Sequence, residues 1–372
     1  MNAIQAHAAV LDEPGAAFRL VESELGSGSD DAIVEIELCT ICGSDLHTIE
    51  GRRPMHGPTV FGHEIIGRVV WLPNRPVFGR TDSNGKPRDV ELKLGDRVTW
   101  CLHVGCGQCF YCAPPHVDDQ LPQKCADLFK YGHQSVSDSH PCTGGFATHC
   151  QLRRGTSIVL LPDDLEAEVA TPANCATATV VAAFREAGEC RGKHVLILGA
   201  GMLGVTAVAY AHSQQAASVV VVDPNEKRAE RAMKFGASVA CATLAEAKQE
   251  INARSDERGA DLAFDFAGTP DAVLSAIHFL RIGGRAVLCG SVTPMESISL
   301  SPEMIVRRML RVSGVHNYRS DDLLHAVSFL AANTSNYPFR DLVANTFPLR
   351  DIAAAVEMAK SGESVRVGVR PN

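Results

Sequence analysis

The sequence predicts an α/β protein in two parts: a β-rich domain with long irregular loops, and a doubly wound domain built on a parallel sheet. Three observations carry that expectation. Up to about residue 165 the chain concentrates Gly, Pro, His and Cys around short β-like runs. From about 170 to 310 it changes to short, continuously apolar runs separated by helix-length segments. A glycine-rich turn, Gly199-Ala-Gly-Met-Leu-Gly204, stands between one such run and one such segment.

The early runs 32–38 and 97–100 read as strands of a mostly antiparallel domain whose loops carry side chains for chemistry. The polar stretch from Pro73 to Arg88, with Asn84-Gly85 inside it, reads as a surface excursion or a hairpin. The later runs 194–198, 218–222, 261–266 and 285–288 are apolar on both faces. They alternate with helical segments at 202–214, 225–235, 243–255 and 270–281, the pattern of a parallel sheet covered on two sides. The last region has helical patterns near 321–332 and 349–360 and a β-like run at 364–369. Periodicity leaves open whether it caps the molecule or returns to complete the first domain.

The 372 residues are 45% hydrophobic and 21% charged, enough apolar material for buried cores, which excludes disorder and a coiled coil. A formal net charge of −8 argues against nucleic acid as a partner, because phosphate binding needs a basic face. No run of eighteen apolar residues offers a membrane span. The N-terminal segment lacks a basic n-region and already contains His7, so it does not read as a signal peptide and the expected location is the cytoplasm. Thirteen cysteines, an odd number with several closely spaced, point to metal rather than to disulfides.

The glycine-rich turn fits a dinucleotide. Gly199 permits the tight turn, Gly201 lets backbone approach a pyrophosphate, and Gly204 lets helix and strand pack closely. Met202 and Leu203 open the helix whose N-terminal N–H groups would meet the phosphates. Asp223, 19 residues after Gly204, can accept hydrogen bonds from ribose hydroxyls and would repel a 2′-phosphate, which favours NAD over NADP. Arg228 pulls the other way, since a nearby Arg can accept that phosphate. The bland alternatives are a purely structural turn, and an Asp223 that merely caps the helix over 225–227.

Two cysteine constellations read as metal sites. Cys106-Gly-Gln-Cys109-Phe-Tyr-Cys112, with Cys125 twelve intervening residues on, supplies four thiolates for a closed structural zinc site. An iron–sulfur cluster is the chemical competitor, but the ferredoxin pattern would continue with Cys-Pro where His116 stands. Asp118 and Asp119 lie nearer the first three cysteines than Cys125 and compete for the fourth place. The second set is dispersed: Cys42-Gly-Ser44-Asp45-Leu-His47, then Gly62-His63-Glu64, then Pro172-Ala-Asn-Cys175. Two thiolates and one imidazole leave a fourth position open, as zinc catalysis requires. The protease reading H-E-x-x-H fails, because Gly67 occupies the second His position. Alone, each of Cys42, His63 and Cys175 would read as a packed interior residue.

Taken with Gly95-Asp-Arg-Val98 and Gly144-Gly-Phe-Ala147, these motifs resemble the zinc-dependent medium-chain alcohol dehydrogenase family over nearly the whole chain. The resemblance implies a GroES-like catalytic domain at 1–168, completed by 311–372, and a Rossmann NAD-binding domain at 169–310. It implies catalytic zinc on Cys42, His63 and Cys175 beside the structural zinc on Cys106, Cys109, Cys112 and Cys125, two ions per chain. Glu64 would stand beside the catalytic metal as a neighbour or alternative ligand, and Asp45 would orient the ligand imidazole. Ser44 would touch the alcohol, His47 would end the proton relay, and Arg366 would contact the cofactor pyrophosphate. The implied reaction passes hydride between an alcohol and NAD, and the implied assembly is a homotetramer or homodimer. Three features depart from the family pattern: the long Cys112–Cys125 spacing, Gly43 where some members place a phosphate-contacting Arg, and the excursion at 73–91. Cys39-Thr-Ile-Cys42, Glu50-Gly-Arg-Arg-Pro54, Lys130-Tyr-Gly-His133 and Pro172-Ala-Asn-Cys-Ala-Thr-Ala-Thr179 resemble a subgroup found with phosphonate catabolism.

Trp100, Leu102 and Tyr131 are expected to line the alcohol pocket. Arg52 and Arg53 would receive an anionic group such as a phosphonate, unless both simply sit solvated on a loop. The expected substrate is therefore a small anionic alcohol such as a hydroxyalkyl phosphonate. A neutral polyol, a threonine-like amino alcohol or a cyclic secondary alcohol is the alternative. A zinc-free quinone or enoyl reductase using NADPH would lack both cysteine sets. A non-catalytic nucleotide-binding zinc protein is the reading from another class. Cys39, Cys101, Cys142, Cys150, Cys190, Cys241 and Cys289 read as small buried spectators.

Overall fold

The computed structural model describes residues 3–26, 30–83, 86–113 and 120–371. Asn84, Gly85, His116, Asp118 and Asp119 therefore lie outside the described residues. The chain divides into two compact units, the first made of residues 1–175, 319–334 and 339–372, the second of 176–318 and 335–338.

In the first unit a large, mostly antiparallel sheet is organised around the strand Ala32–Ile41. That strand is apolar along nearly its whole length and buried on both faces, which suits a central position. Glu64–Trp71 pairs along one side of it, with Thr40 opposite Glu64, and Arg366–Arg370 along the other, with Val367 opposite Ile41. Three strand ends thus converge: Cys42 just after the first strand, His63 just before the second, Arg366 opening the third. A smaller sheet pairs Ile4–Leu11 with Arg19–Leu25 and Thr59–Val60. The core beneath holds Ile33, Ile65, Trp100, Tyr131, Phe146 and Val367, all essentially without solvent exposure.

Two stretches of the excursion are sheet. Phe78–Ser83 and Lys86–Glu91 form a hairpin that extends the large sheet by pairing with Ile158–Leu160. Arg80 forms an ion pair with Asp321, and Asp82 accepts a hydrogen bond from Ser328 at 3.1 Å, fastening the hairpin to the helix Ser320–Asn333. The strand Val343–Pro348, which alternation did not reveal, pairs in parallel with Arg366–Arg370.

The second unit carries a six-stranded, all-parallel sheet. In spatial order its strands are Val239–Cys241, Ser218–Val222, His194–Leu198, Ala260–Asp265, Leu280–Leu288 and Arg311–Gly314. The order reverses between His194–Leu198 and Ala260–Asp265, the switch point at which doubly wound sheets receive ligands. Helices Met202–Ser213, Glu226–Met233, Leu244–Arg254 and Pro270–His278 fall within the expected segments. The boundary expected at 310/311 is corrected: Arg311–Gly314 pairs with Leu280–Leu288 and is the edge strand of this sheet, so 311–318 belongs here.

Candidate functional site

The donor atoms of Cys42, His63 and Cys175 all lie within 4.8 Å of one another. Each is delivered by a different local device. Cys42 caps the helix Gly43–Ile49, and its backbone N–H donates to Asp45 Oδ2 at 2.9 Å. The other oxygen of Asp45 faces His63 Nδ1 at 2.9 Å, with both side chains buried. With Nδ1–H donating to this carboxylate, the lone pair of Nε2 is left for a metal. Gly62 turns the chain into His63 at φ +84°, where a Cβ would come within 2.6 Å of the Cys39 sulfur.

Cys175 follows the 3₁₀ turn Thr171–Asn174. The Asn174 amide accepts from Ile65 N–H at 3.2 Å and donates to the Trp100 carbonyl at 3.0 Å, stitching the turn to two core strands. Nothing in a one-residue reading of Pro172-Ala-Asn-Cys175 singled out Asn174, whose role lies in two partners distant in sequence.

Glu64 is placed differently from the alternative-ligand expectation. Its Oε1 accepts from Arg366 at 2.9 Å, and its Oε2 accepts from Arg366 at 2.7 Å and from Thr40 at 2.6 Å. Both oxygens are turned away to this fully buried bidentate pair, so Glu64 supports the cluster rather than joining it. Arg366, expected at a pyrophosphate, likewise spends Nε and one Nη on Glu64 and its other Nη on the Val365 carbonyl. The Nη that meets Glu64 also stands 3.5 Å from the Cys42 sulfur.

The electrostatics follow from that packing. Sharing of the Cys175 hydrogen, opposed by burial and helped by the charges of Arg366 and His63, holds the Cys42 thiol well below its ordinary value. Cys175 is pushed well above it by Cys42 and by burial. Burial opposes charging of His63, but Asp45 and Cys42 outweigh it and raise the imidazole to about 10. Those shifts belong to the cluster without an ion; two cysteine sulfurs and an imidazole whose Nδ1 is held by Asp45 are a zinc donor set, so the residues present fit that metal.

Ser44 Oγ lies 3.2 Å from His63 Nε2. His47, one turn along the same helix, is half-buried, and its Nδ1 has no hydrogen-bond partner. Trp100 and Tyr131 are corrected: both are fully buried in the core, and the Tyr131 hydroxyl is committed to Thr156 at 2.6 Å and the Arg153 N–H at 2.9 Å. Leu102 is buried as well. His133 was not singled out as a site residue, yet its ring centroid is 4.8 Å from that of His63.

The second cluster is Cys106, Cys109, Cys112 and Cys125, again with all donor atoms within 4.8 Å. Cys125 completes it, accepting from the Cys106 N–H at 3.1 Å and the Asp127 N–H at 3.3 Å. Backbone N–H groups led by that of Ala126 draw the Cys109 thiol down to about 6, while burial among its neighbours drives Cys112 up to about 12. Four cysteine sulfurs gathered this closely are the donor set of a closed tetrahedral zinc site.

In the second unit, Gly199 turns at φ +95° and Gly201 caps the helix Met202–Ser213. A Cβ at Gly204 would lie 1.9 Å from the Gly199 carbonyl oxygen, whereas one at Gly201 would meet nothing within 4 Å. The first is a packing glycine and the second faces open space above free helix N–H groups, which suits a pyrophosphate. Asp223 accepts from Ala200 N–H at 2.8 Å and from Asn225 N–H at 2.9 Å, so it fastens the turn. The cap of the next helix is Asn225, whose side chain accepts from Arg228 N–H, and the Arg228 side chain is exposed.

Comparison with known proteins gives the family. Residues 28–163 match the model of the alcohol dehydrogenase GroES-like domain, and residues 203–332 that of the zinc-binding dehydrogenases. A Mycobacterium tuberculosis protein that carries the name alcohol dehydrogenase D is 31% identical over 301 residues, 78% of each chain. The 5-exo-hydroxycamphor dehydrogenase of Pseudomonas putida is 27% identical over 341 residues, 90% of each chain. The crystal structure of an alcohol dehydrogenase from Thermotoga maritima superposes with a TM-score of 0.89 at 28% identity, covering 99% of this chain and all of that one. No helix among the described residues is long and apolar enough to cross a membrane.

Proposed function

From the premise that the chain belongs to the zinc-dependent medium-chain alcohol dehydrogenase family, we propose that it oxidises a small hydroxylated, acidic substrate with NAD, at Cys42, His63 and Cys175. The observation that carries this reading is the donor set itself: two thiols and an imidazole whose remaining nitrogen is already engaged by Asp45. Zinc bound there supplies a Lewis acid that makes a substrate hydroxyl easier to deprotonate and, in reverse, polarises a carbonyl.

The chain's own residues do the rest. Asp45 fixes the tautomer and direction of His63. The Arg366–Glu64 pair keeps a positive group beside the Cys42 sulfur and so favours the thiolate. Ser44, 3.2 Å from the inner imidazole nitrogen, is the hydroxyl that receives the substrate proton. His47, with an unpartnered Nδ1, is the base that passes it to solvent. Gly201 and the helix start beyond it hold the cofactor pyrophosphate, and the lone pairs that Asp223 keeps beside its two backbone contacts take the adenosine ribose and disfavour a 2′-phosphate. The four-cysteine cluster holds a second zinc that stabilises its loop.

Arg53 supports an acidic substrate such as a hydroxyalkyl phosphonate, because Arg52 is paired with Glu50 while Arg53 has no ion-pair partner among the described residues. The hydroxycamphor relative supports a cyclic secondary alcohol as the second reading. Incubation of the purified protein with NAD, NADP and a panel of alcohols, read at the NADH absorbance, tests the proposal. Turnover with NAD and about two zinc ions per chain are expected. A fully zinc-loaded sample that reduces neither cofactor with any alcohol overturns it.

A further inference from the structure

We propose that Asp265 is the positioning residue for the second half of the dinucleotide: its carboxylate locks together the loops 266–268 and 289–292, which receive the nicotinamide riboside end. The inference rests on the NAD-dependent reading above and adds to it a residue that holds the receiving surface in shape.

The strand His194–Leu198, which runs into the glycine turn, has a parallel neighbour on each side. Ser218–Val222 is followed by Asp223, and Ala260–Asp265 ends on Asp265, which stands opposite Leu198. Both carboxylates are buried, and both are used in the same way. One oxygen closes the residue's own turn and the other grips the neighbouring loop. Asp223 Oδ1 accepts from Asn225 N–H at 2.9 Å and its Oδ2 from Ala200 N–H at 2.8 Å. Asp265 Oδ1 accepts from Ala267 N–H at 3.0 Å and Gly268 N–H at 2.8 Å, and its Oδ2 from the Ser291 hydroxyl at 3.2 Å. The Asp265 carbonyl accepts further from the N–H groups of Cys289 and Gly290, both at 2.9 Å.

The two loops so joined press against each other and against the glycine turn. A Cβ at Gly268, whose φ is +67°, would lie 2.4 Å from the Gly290 carbonyl oxygen, and one at Gly290 would lie 2.4 Å from the Gly268 nitrogen. Phe266 N–H donates to the Leu198 carbonyl at 2.9 Å, immediately before Gly199. No ion pair joins Asp265 to a cation among the described residues. A buried carboxylate without a counter-charge is costly, and what this one secures is not core, since Ala267, Ser291 and Val292 are exposed. Dinucleotide folds take one nucleotide on each side of the switch point. With Gly201 open to the pyrophosphate and Asp223 on the adenosine side, the other end falls to the loops that Asp265 fastens. Loops already ordered in the free protein need no further ordering when the ligand arrives, which strengthens binding of the part they touch.

The test titrates the full-length zinc-loaded enzyme with NADH and with ADP in a calorimeter. ADP carries the adenosine and the diphosphate but no nicotinamide riboside, so the ratio of the two Kd values isolates the second half. Asp265→Ala is expected to shrink the ADP-to-NADH ratio about tenfold, while the Kd of ADP moves by less than about twofold. Asp265→Asn should keep most of the ratio, because its oxygen can still accept from Ala267 and Gly268 and its amide can donate to Ser291. In steady-state turnover the loss in Asp265→Ala should fall on the KM of NAD and not on that of the alcohol. Ser291→Ala removes only the bond between the loops, at an exposed position, and should shrink the ratio about threefold. It decides the matter together with Asp265→Asn if Asp265→Ala does not fold. A ratio that these variants leave unchanged, or NADH and ADP weakened equally, overturns this inference. So does Asp265→Asn losing as much as Asp265→Ala, which would make the charge and not the bonds responsible. Wild-type protein that binds neither NADH nor ADP counts against the NAD reading itself.

Discussion

The two cysteine clusters of the first unit each bring their donor atoms within 4.8 Å of one another, but they are held in opposite ways. Around Cys42, His63 and Cys175 the support comes from buried side chains on core strands and on the helix and turn joined to them: Thr40, Glu64, Arg366, Asp45 and Asn174 each make defined hydrogen bonds there. Around Cys106, Cys109, Cys112 and Cys125 backbone N–H groups of the loop itself donate to the sulfurs, and three of the four cysteines are partly exposed. A site for chemistry must be oriented before its metal and substrate arrive, and the core does that work. A loop without a core of its own needs the ion as its organiser.

The largest expected effect would break that contrast if it failed. Cys175→Ala should lower kcat on the order of a thousandfold and leave the melting temperature nearly unchanged, since the sheet and its hydrogen bonds remain. Cys109→Ala should do the reverse, costing about 3 kcal/mol and so roughly 6–12 °C in Tm, with kcat per folded molecule largely retained. Parallel steady-state kinetics and thermal melts of the two variants decide it. A Cys109→Ala protein as inactive as Cys175→Ala would mean that the lobe is part of the chemistry.

The next effect sharpens what the core contributes. Glu64→Gln leaves the buried Arg366 without its carboxylate, and breaking a buried pair from one side costs about 3–5 kcal/mol. The double variant Glu64→Gln/Arg366→Met should regain part of that stability, because no charge is then stranded. It should not regain activity, since Arg366 also stands beside the Cys42 sulfur. Denaturant melts and kcat measured on the three proteins separate the two roles.

Much of this molecule was legible because its signals are local. The parallel sheet announces itself in fully apolar runs such as 218–222, and the glycine turn carries its own spacing. Cys106, Cys109 and Cys112 declare each other within seven residues. What the sequence hid is what depends on pairing across the fold. The strand Val343–Pro348 is short and only partly buried, so alternation did not mark it. Arg366 meets Glu64 because two distant strands flank the same central one, and no periodicity encodes that. Lys130 and Tyr131 are adjacent, and only the register with His103 tells that the tyrosine is core and the lysine is not. The edge strand Arg311–Gly314 is largely exposed, so it lacks the apolar run that identified its neighbours.

The smallest expected effect tests whether the core site also tunes its proton acceptor. His47 is held below the ordinary imidazole value by burial first, then by the charges of Arg52 and Arg53, with Glu50 and Cys42 opposing. The neutral imidazole is the form that accepts a proton, so acid removes activity by protonating it. Because its pKa is depressed, the acid limb of kcat/KM should fall below pH 6.5, and the rate should persist to lower pH than a free imidazole would allow. Arg52→Gln removes one cation and also releases Glu50 from its ion pair. Both changes favour the imidazolium, so the limb should move to higher pH. Arg53→Gln should move it the same way and somewhat less, measured with a neutral alcohol so that substrate charge does not enter. His47→Asn should abolish the limb, whereas Cys109→Ala in the loop cluster should leave it where it is. A limb that shifts with Cys109→Ala and ignores Arg52→Gln would show that the two clusters are not independently held.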